Sequence, residues 1–129
     1  MKIAAIIVRV LMGILFIFGA VAFFLSPPPQ LPEGNLKTYF AGLAASIYFL
    51  PFLKITELIC GIALVAGRYV PLALVILSPI IINIFLVHSF LEPSPAAMGI
   101  ATGLVAANSF LGYYYWDSFK QLFVANPSV

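Results

Sequence analysis

An all-α, four-transmembrane-helix up-and-down bundle, with an extra amphipathic helical segment between spans one and two, is the fold this sequence predicts. Two observations carry most of that prediction. Hydrophobic residues make up 64% of the chain and charged residues only 8%, at a mean hydropathy of +1.15, whereas roughly a quarter of a soluble domain is charged. The apolar residues also fall into four runs of spanning length, separated by clusters of proline and glycine. At about 20 residues per span, four spans use most of the 129 residues and leave room for one membrane domain, residues 1–129.

The first span is expected over about Ile3–Leu25, with Lys2 before it and Arg9 inside it. Lys2 and Arg9, the run Val10–Gly19 and the small residues Ala20-Val21-Ala22 also resemble the parts of a signal peptide. The apolar run nevertheless continues through Phe23, Phe24 and Leu25 to spanning length, so a retained span is the expectation. The stretch from Ser26 to Gly34 is dense in proline, which removes amide donors and restricts the residues before it, so the helix stops there.

Asn35 is a candidate N-cap for the amphipathic segment, about residues 36–50. Its apolar positions Leu36, Tyr39, Phe40, Leu43, Ile47 and Leu50 follow the three-and-four spacing of one helix face. The segment is expected to lie at the membrane interface or to extend the next span, with Pro51 as the break. In either case it could partly cover the mouth of the bundle.

The remaining spans are expected at about 52–67, 69–91 and 96–116, joined by Gly67-Arg68-Tyr69-Val70-Pro71 and by Glu92-Pro93-Ser94-Pro95. Connections this short make consecutive helices antiparallel neighbours. Lys2, Arg9, Arg68 and Lys120 fall on one side and Lys37 on the other, which predicts cytoplasmic termini in an inner, cell membrane. Tyr69 and the block Tyr113-Tyr114-Tyr115-Trp116 then read as an aromatic belt at that face, in preference to a ligand-stacking platform. In the fourth span Gly99-x-x-x-Gly103, extended by Ala107, offers a row of small side chains for close helix approach, within the bundle or in a homo-oligomer. Pro79 is expected to kink the third span.

Several function classes lose support at this stage. A formal charge of +2, spread along the chain, does not suit nucleic acid binding. The single cysteine, Cys60, permits neither an internal disulfide nor a Cys-x-x-Cys redox pair. No His, Cys or carboxylate spacing typical of a zinc or haem site occurs, and neither a nucleophile elbow nor a phosphate loop is present.

What does call for explanation is the set of polar residues inside the apolar runs: Arg9, Lys54, Glu57, Asn83, His88 and Asn108. Counted at about 1.5 Å per residue from each span's cytoplasmic end, Arg9 lies roughly 9 Å deep, Asn108 roughly 12 Å, Glu57 roughly 15 Å, Lys54 and Asn83 roughly 20 Å and His88 roughly 28 Å. If each faces inward they form one polar column. Arg9, Lys54 and Glu57 left unpaired would together cost on the order of 8–10 kcal/mol, so pairing is expected. The expected arrangement has Glu57 accepting from Arg9 and Lys54, Gly61 leaving space for the guanidinium, and Asn83 and Asn108 satisfying the remaining groups. Such a network could fix helix register alone, or it could bind a ligand with Glu57 as the proton-handling group. His88, near the outer surface, is the weakest member of the set.

An arginine early in the first span, the pattern Glu57-x-x-x-Gly61-x-x-Leu64-x-x-Gly67 following Pro51 and Lys54, and Asn83 with His88 in the third span together resemble the DoxX family of small four-helix membrane proteins. The resemblance runs over nearly the whole chain. It implies a membrane subunit of a redox system, linked to a quinone or to thiols, with a soluble or membrane redox partner. The lack of a cysteine pair argues against thiol exchange by this chain alone. The other reading is a non-catalytic membrane partner, or a lipid- or small-molecule-binding module, whose polar cluster is structural. Transport is a third reading and would need an oligomer. An apolar pocket opening from the polar residues toward lipid would favour a ligand site, and a fully packed interior would favour the structural role.

Overall fold

A computed structural model describes residues 1–27, 30–91 and 94–125. Pro28 and Pro29 of the first loop, and Glu92 and Pro93 of the third connection, lie outside the described residues. The regular secondary structure of the described residues is all helical, in the order α1 (Lys2–Leu25), α2 (Asn35–Ala45), α3 (Phe49–Ala66), α4 (Val70–Phe90), α5 (Pro95–Tyr114) and the short α6 (Trp116–Phe119), followed by a 3₁₀ turn at Lys120–Phe123. Helices α1, α3, α4 and α5 are each long and apolar enough to cross a membrane, as expected of a multi-pass membrane protein.

Helix α1 packs on α3 and α5, and α4 packs on the same two helices. The core between them is apolar: Met12 and Phe16 from α1, Cys60 and Leu64 from α3, Leu74, Leu77 and Ile81 from α4, and Leu104 and Leu111 from α5. Phe18, Ile59, Ile62, Leu72, Ile82 and Ile100 point outward and are exposed. A helix apolar on both its inner and outer sides suits a hydrocarbon surround, where outward leucines and isoleucines need no cover.

The tightest crossing joins α1 to α3. A Cβ built on Gly13 would stand 2.7 Å from the Gly61 carbonyl oxygen, and one on Gly61 would stand 2.9 Å from the Gly13 carbonyl oxygen. The space at Gly61 is therefore filled by the backbone of α1 and not by a guanidinium, which corrects that expectation. Two small residues face to face let the backbones meet, as in other membrane helix pairs. The glycine row Gly99 and Gly103, expected to serve close approach within the bundle or in a homo-oligomer, has nothing among the described residues within 4 Å of its missing side chains, so it does not serve a contact inside the bundle.

The junction between α2 and α3 also departs from expectation. Gly34, not Asn35, caps α2, and Pro51 lies inside the first turn of α3, where a missing amide costs no helical bond. The break falls instead at Ser46–Tyr48. There the Ser46 hydroxyl donates to the Leu43 carbonyl at 2.9 Å and accepts from the Phe49 amide at 3.0 Å, tying the end of one helix to the start of the next. Between them Ile47 takes φ +73° and is exposed, an unfavourable backbone region for a β-branched residue. At the other end of α3, Gly67 at φ +76° closes the helix, its amide bonding the Ala63 carbonyl at 2.9 Å. That left-handed closure is the ordinary use of a glycine just past a helix end. Pro79 leaves α4 a continuous helical element.

Candidate functional site

The six polar residues do not form one column; they separate into three places. The largest group lines a cleft of about 370 Å³ between α2, α3 and α4, within the size range of small-molecule sites. Lys54 and Glu57 reach it from α3, Asn83 and His88 from α4, and Tyr39, Phe40 and Leu43 of α2 supply a further wall. Leu50, Leu53, Ile80 and Ile84 make much of the remaining surface apolar.

Inside the cleft, polar groups are held by near neighbours. Lys54 and Glu57, one helical turn apart on α3, bring the ammonium to 3.1 Å from a carboxylate oxygen. The carboxylate is deep, its side chain 5% exposed, while that of Lys54 is 27% exposed. On its other side the Lys54 ammonium stands 6.0 Å from the centre of the Phe23 ring of α1, near the outer limit for cation–π attraction. Asn83 donates from Nδ2 to the Tyr39 hydroxyl at 2.9 Å. It therefore ties α4 to α2 and does not serve Glu57, contrary to expectation. Among the described residues the His88 Nδ1 is enclosed without a hydrogen-bond partner. His88 thus belongs to the cleft wall, although its depth alone suggested simple solvation.

Arg9 lies elsewhere. Its guanidinium covers Gly67, with Nη1 3.0 Å from where a Cβ on that residue would be. Among the described residues it makes no ion pair, so the expected Arg9–Glu57 pair does not form. The carbonyl end of α3 carries partial negative charge and suits a cation there. A lysine already holds Glu57 from the same helix, which removes the carboxylate's need for a second cation.

Asn108 occupies the third place, at the contact of α4 and α5. Its Nδ2 donates to the Ser78 hydroxyl at 3.0 Å, and that hydroxyl donates to the Leu74 carbonyl at 2.7 Å. The Asn108 Oδ1 is enclosed without a partner among the described residues. Among the described residues no side-chain hydrogen bond runs from this pair to a cleft-lining residue, so its evident work is to join two helices.

Sequence reasoning missed Tyr39 as a site residue, and Ser78 and Phe23 as partners. Only for Tyr39 was there a signal, since it lies on the apolar face of α2 that was expected to cover the bundle's mouth. Among the described residues no three His, Cys, Asp or Glu side chains gather as a metal site would require. Comparison with protein-family models, with curated proteins and with solved structures finds no match for this chain.

Proposed function

We propose that this chain is a DoxX-like integral membrane protein whose cleft between α2, α3 and α4 binds a quinone- or lipid-sized amphiphile, as the membrane subunit of a redox system. The observation that carries this reading is the gathering of Lys54, Glu57, Asn83 and His88 from two helices around one apolar-walled cavity. A quinone would bring redox chemistry to such a site, and the lining has what its head would need: the Tyr39 hydroxyl and Lys54 as donors, with apolar side chains for the tail. In this reading Glu57, held by Lys54, is the proton-handling group.

The four spans are proposed to run up and down with both termini cytoplasmic in a cell membrane. The three-residue turn between α3 and α4 and the cations Lys2, Arg9, Arg68 and Lys120 support that orientation. The open glycine face of α5 leaves room for a homo-oligomer. A non-catalytic module is the second reading, favoured by one observation: Lys54 and Glu57 satisfy each other without a ligand.

The deciding experiment purifies the chain into nanodiscs and identifies co-purifying amphiphiles by mass spectrometry, for the wild type and for Ile84→Trp, which fills the cleft. A species retained by the wild type and lost from a folded Ile84→Trp supports the ligand site. Equal retention, or none, favours the structural module.

A further inference from the structure

We infer that the cleft selects an amphiphile with an uncharged, hydroxyl- or carbonyl-bearing head and discriminates against anionic heads such as phosphate or carboxylate. The inference rests on the reading of the cleft as a ligand site and adds the class of ligand to it.

Charge complementarity carries the argument. Among the described lining residues only Lys54 and Glu57 carry formal charge, and they cancel, with His88 counted as neutral. The ammonium is already committed to the Glu57 carboxylate at 3.1 Å and faces the Phe23 ring at 6.0 Å. An anionic head approaching Nζ would come up against Glu57 and leave the cleft with a net negative charge. In a low-dielectric setting two anions sharing one cation repel strongly, and neither keeps the water that would screen it. An uncharged head requires no such rearrangement.

The polar groups left over suit that uncharged head. Tyr39 uses a lone pair to accept from Asn83, so its own proton remains for a ligand oxygen. Among the described residues the His88 Nδ1 is enclosed and has no partner, and a neutral imidazole offers one donor and one acceptor. Asn83 and His88 stand five residues apart on α4, about 7.5 Å along the axis, which places polar partners at two depths of an otherwise apolar wall. A head with hydroxyl or carbonyl oxygens meets both; a hydrocarbon without them meets neither.

The test uses three probes of matched tail, a decyl-substituted benzoquinone, monodecanoylglycerol and decyl phosphate, titrated calorimetrically into protein in phosphatidylcholine nanodiscs against empty nanodiscs. At least one neutral probe is expected to bind the wild type tenfold or more tightly than decyl phosphate, and the quinone-to-glyceride ratio distinguishes the two neutral sources. Glu57→Gln, which frees the Lys54 ammonium, should raise decyl phosphate affinity at least tenfold. The uncharged double variant Lys54→Gln/Glu57→Gln should keep the neutral preference, and it serves if the single variant does not fold. Decyl phosphate binding the wild type as tightly as the neutral probes overturns the inference while leaving the ligand site standing. If no probe binds above empty nanodiscs, the ligand-site reading itself fails.

Discussion

Gly13 and Gly61 are mutual contacts: each lacks the carbon that would run into the other's carbonyl oxygen, at 2.7 and 2.9 Å. Because a backbone oxygen stands at that distance at each glycine, with the branched side chains of Val65 and Ile17 as close beside it, even one methyl group must push α1 away from α3. Gly61→Ala is expected to destabilise the protein by about 1–3 kcal/mol, the usual scale of overpacking, despite alanine's better helix propensity. Thermal unfolding in detergent, followed by circular dichroism, reads the loss. An unchanged or raised midpoint would show that the crossing is looser than described.

The Lys54–Glu57 pair is unequal in burial, and its two deletions should be unequal too. Lys54→Met strands a carboxylate that is 5% exposed, whereas Glu57→Gln leaves an ammonium that is 27% exposed and able to turn toward water. Breaking a buried pair from one side costs about 3 kcal/mol, so Lys54→Met should approach that figure and Glu57→Gln should fall clearly below it. A double-mutant cycle in unfolding free energy measures both. The reverse order would mean that Glu57 has water or another partner.

Tyr39 and Asn83 make the hydrogen bond that joins α2 to α4. Tyr39→Phe removes it and keeps the ring. Overall stability should fall by only about 1 kcal/mol, but amide exchange across residues 35–45 should rise selectively. Hydrogen exchange with mass spectrometry reads this directly, and uniform protection of α2 in the variant would assign its hold to apolar packing instead.

Ile47, exposed at φ +73°, is a position where a smaller residue should improve the fold. A left-handed conformation costs a residue with a Cβ about 1–2 kcal/mol, and glycine's extra freedom when unfolded returns part of that. Ile47→Gly is therefore expected to raise stability by about 0.5–1 kcal/mol. A lower unfolding midpoint would contradict the strain argument.

The spans were legible in the sequence because spanning length and hydropathy act locally, and α1, α4 and α5 fall within two residues of expectation at each end. The start of α3 was not, because Pro51 breaks a helix interior but is harmless in a first turn, and only the Ser46 bonds show which applies. Lys54 and Glu57 were readable as neighbours, being one turn apart on one helix. Their separation from Arg9 was not readable, since depth along a helix says nothing about which side faces which neighbour. The same limit hid Gly13, whose pairing with Gly61 depends on the rotation of two helices about their axes.

Helix α3 has 18 residues against 24 in α1, so at about 1.5 Å per residue it is about 27 Å long, short of a typical hydrocarbon core of about 30 Å. The Gly13–Gly61 contact and the Arg9 cover over Gly67 prevent it from sliding past α1. A lipid bilayer is then expected to thin around α3, which makes acyl-chain length a variable acting on the cleft that α3 walls. Stability in nanodiscs should peak with shorter-chain lipids and decline as chains lengthen, and a maximum in the thickest bilayers would show that hydrophobic mismatch has no hold on this protein.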